Sequence, residues 1–143
     1  MAPTSILEPM VELYRFTGEC KYLDFCNYII EAWEEEGGPK IISSLTTSVS
    51  VYKTANGKAY EMMSNLVGLL ELYRLTGIGK YLIAVQNAWL DITSKRLYIH
   101  GTASHTEHFQ DDFDLNPIGQ YDATQYCGPG EGCVTVTWIQ MNW

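Results

Sequence analysis

One heptapeptide of this chain occurs twice. Glu12-Leu13-Tyr14-Arg15-Phe16-Thr17-Gly18 returns 59 positions later as Glu71-Leu72-Tyr73-Arg74-Leu75-Thr76-Gly77. At the same offset Lys21-Tyr22-Leu23 returns as Lys80-Tyr81-Leu82. Apolar residues at helical spacing flank each copy: Ile6, Met10, Leu13 and Tyr14 before the first glycine, then Tyr22, Leu23, Cys26, Ile29, Ile30 and Trp33 after it. Each unit therefore reads helix, glycine turn, helix. A lone hairpin cannot bury its apolar face, so the units must stack on neighbours. The period exceeds the roughly 34 residues of a tetratricopeptide array and fits the long hairpins of an α/α toroid, whose inner helices point loops into a central cleft. The repeated Tyr-Arg-x-Thr-Gly itself reads as packing plus helix termination.

The rest of the chain is placed against this repeat. Ser5-Ile6-Leu7-Glu8 has the form of a capping box for the first helix. The second helix ends in Glu34-Glu35-Glu36, where carboxylates oppose the helix dipole and predict a frayed, solvated end. Gly37-Gly38-Pro39 breaks it. Ile41 to Asn56 is rich in Ser, Thr and β-branched residues and reads mostly as an extended connection. Asn56-Gly57 opens a third helix through Tyr60, Met63, Val67, Leu70 and Tyr73; a fourth carries Tyr81, Leu82, Val85, Ala88, Trp89 and Ile92. Lys95 and Arg96 suit the C-terminal end of that helix. Leu97-Tyr98-Ile99 reads as a short strand. Val134, Val136, Trp138 and Ile139 with interleaved Thr135, Thr137 and Gln140 alternate as a strand would.

Composition narrows the functional classes. The chain has 143 residues, enough for one domain with a real core, and 46% of them are apolar, which excludes a disordered chain. A net charge of −8 argues against nucleic acid and anionic membrane as partners. No run of about 18 uncharged apolar residues is present to span a membrane. Met1-Ala2-Pro3 runs directly into a helical pattern without the basic and apolar regions of a signal peptide. Four cysteines in a chain of this length do not make a disulfide scaffold, so the compartment stays open.

The residues with chemistry collect between Arg96 and Asn142. This stretch holds His100, His105 and His108, Cys127 and Cys133, and Glu107 and Glu131. Glu131-Gly132-Cys133 puts a carboxylate and a thiol two residues apart, and both are ordinary zinc ligands. The same residues also fit a helix N-terminus with an acidic cap and a small buried thiol. His100, His105, Glu107 and His108 form a second possible metal cluster or a polar loop; their spacing is not that of H-E-x-x-H. Glu107 beside Phe109 offers the positioned carboxyl acid that a glycosidase needs. Asp111, Asp112 and Asp114 combine solvated charge with turn bonding, and such an acidic loop can bind sugar hydroxyls. Cys127 and Cys133 fit a disulfide or a zinc pair, whereas Cys20 and Cys26 read as structural.

Three segments together resemble the β-L-arabinofuranosidase family of glycoside hydrolases. They are Gly101-Thr102-Ala103-Ser104-His105-Thr106-Glu107-His108-Phe109, Asp112-Phe113-Asp114-Leu115, and the run from Glu131-Gly132-Cys133 to Asn142. Asn56-Gly57-Lys58-Ala59-Tyr60-Glu61-Met62-Met63-Ser64 and both Tyr-Arg-x-Thr-Gly turns resemble it too. The resemblance implies an all-α fold, with residues 1–143 as a partial (α/α)6 barrel of helical hairpins carrying one long functional loop and needing the remainder of the barrel to cover it. It also implies that 131–142 is helical despite its alternation. Such enzymes release L-arabinofuranose from non-reducing ends with retention, using a cysteine nucleophile bound to zinc. By motif, Glu107 corresponds to the acid/base, Glu131 and Cys133 to two of the zinc ligands, and His105 and Asp112 are candidates for substrate binding. The family's nucleophile belongs to a downstream Cys-Cys pair. This sequence has none, so these residues alone are expected to lack turnover. The stretch between Leu115 and Glu131 is also longer than in the family. The competing reading is a non-catalytic helical-repeat module that binds carbohydrate or protein.

Overall fold

The computed structural model describes residues 5–48, 50–104, 107–115 and 130–143. Among them are six helices and no strand: α1 (Leu7–Thr17), α2 (Cys20–Glu34), α3 (Ile41–Thr47), α4 (Ala59–Thr76), α5 (Gly79–Lys95) and α6 (Gly132–Met141). The two copies of the repeat are the hairpins α1–α2 and α4–α5. In both, the glycine has φ +71° and its N–H donates to a tyrosine carbonyl, Gly18 to Tyr14 and Gly77 to Tyr73, each at 2.8 Å. The threonine before it donates back to Leu13 or Leu72 at 2.7 Å. The motif thus closes a helix, as its Tyr-x-x-Thr-Gly form predicts. Arg15 adds a tie between copies: its guanidinium holds Glu12 of its own helix and Glu71 of α4, both at 2.5 Å.

Helix α4 is the centre of the molecule, packed on α1, α5 and α6. Met62, Met63, Leu66, Leu69 and Leu72 are fully buried on it, so it is apolar on several faces. Gly68 lets α1 approach: a Cβ there would lie 2.8 Å from Leu7 Cβ and 2.8 Å from Glu8 N. α3 packs on α5 and α2.

Four sequence expectations are corrected. Ser5 does not cap α1, whose N-cap is Ile6, an aliphatic residue with no oxygen to accept an N–H. Glu8 instead accepts from Gln140 Nε2 at 2.7 Å and joins α1 to α6. The 41–47 segment is a helix, because Ile41, Ile42 and Leu45 are buried and override β propensity. Its start is held from the acidic end of α2: Glu34 Oε1 accepts the Ile42 N–H at 2.9 Å, so that end is anchored rather than frayed. Residues 97–99 form no strand, since Tyr98 N–H donates to Thr102 O and Gly101 N–H to Tyr98 O, turning the chain on itself. The 131–142 segment is helical as the resemblance implies, with Val134, Thr137 and Met141 buried at three- and four-residue spacing.

The outward faces of α5 and α6 leave Ile83, Leu90, Val136 and Ile139 about half or more exposed. Beside them lies a groove of about 440 Å³ lined by Leu70, Leu82, Val85, Trp89, Leu90 and Met141.

Candidate active site

Glu107 is set against the start of α4. Ala59 N–H donates to Glu107 O at 2.9 Å, Phe109 N–H donates to Gly57 O at 2.9 Å, and Lys58 and His108 form an isolated antiparallel bridge. Phe109 is buried to 1% exposure and pins the loop from below. Glu107 has φ +64°, a left-handed backbone that costs a non-glycine residue about 1–2 kcal/mol. The flanking bonds and the buried Phe109 hold it there, and the carboxylate is turned to a half-exposed position. Lys58 Nζ lies 3.4 Å from Glu107 Oε2 and 2.9 Å from Glu61 Oε1. The hydrogen bond to Glu61, then that to Glu107, raises the Lys58 ammonium above its usual value.

Arg96 fastens the other end of the loop. Arg96 stands at the C-terminal end of α5, as its position in the sequence suggests, and is 2% exposed. Its Nε and Nη2 bind Asp91 at 2.9 and 3.2 Å, Nη2 binds Asp112 at 2.7 Å, and Nη1 donates to Gln110 O. Asp91, itself buried, also accepts Val51 N–H at 2.9 Å. The guanidinium therefore joins the α3–α4 connection, the end of α5 and the 107–112 loop. Asp112 takes Lys95 on its second oxygen at 2.8 Å. Lys95 first, and then Arg96, hold its carboxyl below the usual range. With both oxygens paired, Asp112 anchors the loop, and a substrate hydroxyl would have to compete with two cations.

Glu131 and Cys133 meet directly. Glu131 occupies the N-cap position of α6 without making a capping bond; its Oε1 instead accepts from Cys133 Sγ at 2.6 Å. Partial burial, then the Glu131 carboxylate, push the Cys133 thiol up. Glu131 Oε2 is buried and has no hydrogen-bond partner. Thr102 Oγ1 donates to Glu131 O at 3.4 Å, tying this end of α6 to the Glu107 loop. Gly130 has φ +107°, and a Cβ there would stand 3.1 Å from His100 Nε2, so only glycine admits the imidazole so close. No hydrogen bond or ion pair joins Glu107 to Glu131 directly. Among the described residues no three His, Cys, Asp or Glu side chains converge as a metal cage.

A family model described as "Beta-L-arabinofuranosidase, GH127 catalytic domain" matches residues 4–143. The chain belongs to this family. It is thus a glycoside hydrolase domain with a glycan as substrate, and its helical hairpins are part of the (α/α)6-barrel architecture of GH127. No curated protein and no solved structure matches it. In this GH127 domain Glu107 lies against the start of α4, Asp112 at the end of α5, and Glu131 and Cys133 at the entrance of α6. His105 and Cys127 lie outside the described residues. Cys20 and Cys26 are free thiols, Cys20 exposed and Cys26 buried. Sequence reasoning passed over Lys58, Glu61 and Asn65. The signal available was their shared face: they are three and four residues apart around the start of a helix already assigned.

Proposed function

We propose that this domain acts on glycans ending in L-arabinofuranose or a similar sugar and retains anomeric configuration. Glu107 is the acid/base. It protonates the glycosidic oxygen as the bond to the aglycone breaks, then takes a proton from the water that releases the sugar. This reading is supported by its half-exposed carboxylate and by the backbone bonds that fix the loop on both sides of it. Glu131 and Cys133 are proposed to hold zinc. The fit rests on their donor set, a thiol and a carboxylate already in contact, and on Glu131 Oε2, which is buried and unpartnered. Zinc there would favour thiolate over thiol and activate a zinc-bound thiolate as nucleophile. The sequence has no Cys-Cys pair, so the covalent step is assigned to no residue of these 143.

The observation that carries the reading is the Glu131–Cys133 contact at the entrance of α6. Zinc content of a purified polypeptide that carries this domain together with a Cys-Cys pair tests it, because two ligands alone make only half of a tetrahedral site. Wild type and Glu107→Gln should retain zinc, whereas Glu131→Gln and Cys133→Ser should lose most of it. Equal zinc in all four would refute the division of roles. A zinc-free wild type that still binds sugar would favour the non-catalytic binding module.

A further inference from the structure

Buried polar atoms without partners are concentrated at this site. Glu61 Oε1 is taken by Lys58, but Oε2 has no hydrogen-bond partner. Asn65 has no exposed surface, and neither its Oδ1 nor its Nδ2 is paired. Among the described residues the other such atoms are Ser104 Oγ and Glu131 Oε2. All of them sit in the first two turns of α4, on the segment leading to Glu107, or at the entrance of α6. The walls formed by α1, α2, α3 and α5 contribute none. A fold that satisfies its buried groups elsewhere and leaves them buried and unpaired on the elements that flank the Glu107 loop calls for hydrogen-bond partners from outside the chain.

The chemistry of those atoms narrows the partner. Glu61 and Asn65 are one helical turn apart on the same face of α4, and Lys58 links Glu61 to Glu107. Together they present a carboxylate acceptor, an amide acceptor and an amide donor. A bare cation could take Glu61 and Asn65 Oδ1 but would leave the buried Nδ2 donor unpaired, and an anion would meet the Glu61 carboxylate. A sugar hydroxyl both donates and accepts, and two adjacent hydroxyls match the whole set. We propose that Glu61 and Asn65 determine specificity by holding two neighbouring hydroxyls of the sugar whose glycosidic oxygen faces Glu107. This rests on the acid/base reading of Glu107.

The test joins stability to recognition, using methyl β-L-arabinofuranoside and its 2-deoxy and 3-deoxy analogues as probes. Wild type should bind the parent at least about tenfold more tightly than one deoxy analogue, as loss of a buried hydrogen bond requires. Asn65→Leu removes an unpaired buried amide while keeping its size, so it should hold or raise Tm and abolish that preference. A merely structural asparagine would give the opposite pattern, a lower Tm with the preference intact, and that result overturns the proposal. If Asn65→Leu does not fold, Glu61→Gln serves the same purpose: it should weaken parent binding about tenfold, and unchanged affinity overturns the idea. Probe binding by wild type with undiminished discrimination in both variants refutes this inference alone. No binding of any probe by wild type or by Glu107→Gln refutes the sugar site with it.

Discussion

Glu107 and Asp112 are both carboxylates on one short loop, and their surroundings give them different work. Glu107 has one ammonium at 3.4 Å and is otherwise open, whereas Asp112 is closed between Lys95 and Arg96. In an enzyme carrying this domain together with a Cys-Cys pair, Glu107→Gln should slow poor leaving groups far more than good ones, by about 10²–10⁴ for an alkyl glycoside. A uniform loss across an aryl and alkyl series would count against acid assistance. Asp112 has a depressed folded pKa, so its contribution to stability is present above its unfolded value near 4. That contribution is lost as pH falls through the folded value. Asp112→Asn should therefore flatten the acid limb of a Tm-against-pH curve, and an unchanged limb would show that the two cations do not act on it.

The helices show where local pattern and burial disagree. Val134 to Gln140 alternates like a strand, yet α6 forms because Val134, Thr137 and Met141 fall on one helical face against α4. Its threonines are also satisfied within the helix, Thr135 Oγ1 donating to Glu131 O and Thr137 Oγ1 to Cys133 O. α3 is the parallel case, with Thr46, Thr47 and Ser48 bonding back one turn. The α1–α4 contact depends on Gly68. Alanine there gains about 1 kcal/mol of helix propensity, but its methyl meets Leu7 and Glu8 at 2.8 Å. Overpacking of this kind costs about 1–3 kcal/mol, so Gly68→Ala should be net destabilising and should shift Leu7 resonances. Gly77→Ala has open space around it and should cost about 1–2 kcal/mol through its left-handed backbone alone. Urea unfolding of the two variants separates these causes; a stabilised Gly68→Ala would mean α1 can move away freely.

Across the whole molecule, Arg96 decides whether the loop and the hairpins act as one body. Arg96→Met would leave Asp91 buried beside only the partly exposed Lys95, a loss of about 3–5 kcal/mol for a broken buried pair. It should also speed hydrogen exchange at the Phe109 and Ala59 amides, which bracket Glu107. Unchanged exchange there would show that the loop is held without Arg96. The α5 and α6 faces behave differently, since Ile83, Leu90, Val136 and Ile139 form apolar surface with no cover among the described residues. Patches above a few hundred Å² favour association. Sedimentation should therefore show concentration-dependent oligomers, and Leu90→Glu with Ile139→Glu should shift them toward monomer.

The sequence by itself determined the elements whose information is local. Two hairpins, their Tyr-x-x-Thr-Gly stops and the contact between Glu131 and Cys133 are written in residues no more than a few positions apart. The helical state of 132–141 was legible only through family resemblance, because its own alternation pointed the other way. Tertiary structure decided what depends on partners distant in the chain. α3 is helical because α2 and α5 bury its apolar residues and Glu34 caps it, none of which its composition records. Arg96 left solvent because Asp91, Gln110, Asp112 and Ser50 converge on it. Glu61 and Asn65 became part of the site for the same reason: only folding brings the start of α4 beside the Glu107 loop, and polar groups acquire a function from the partners that folding withholds from them.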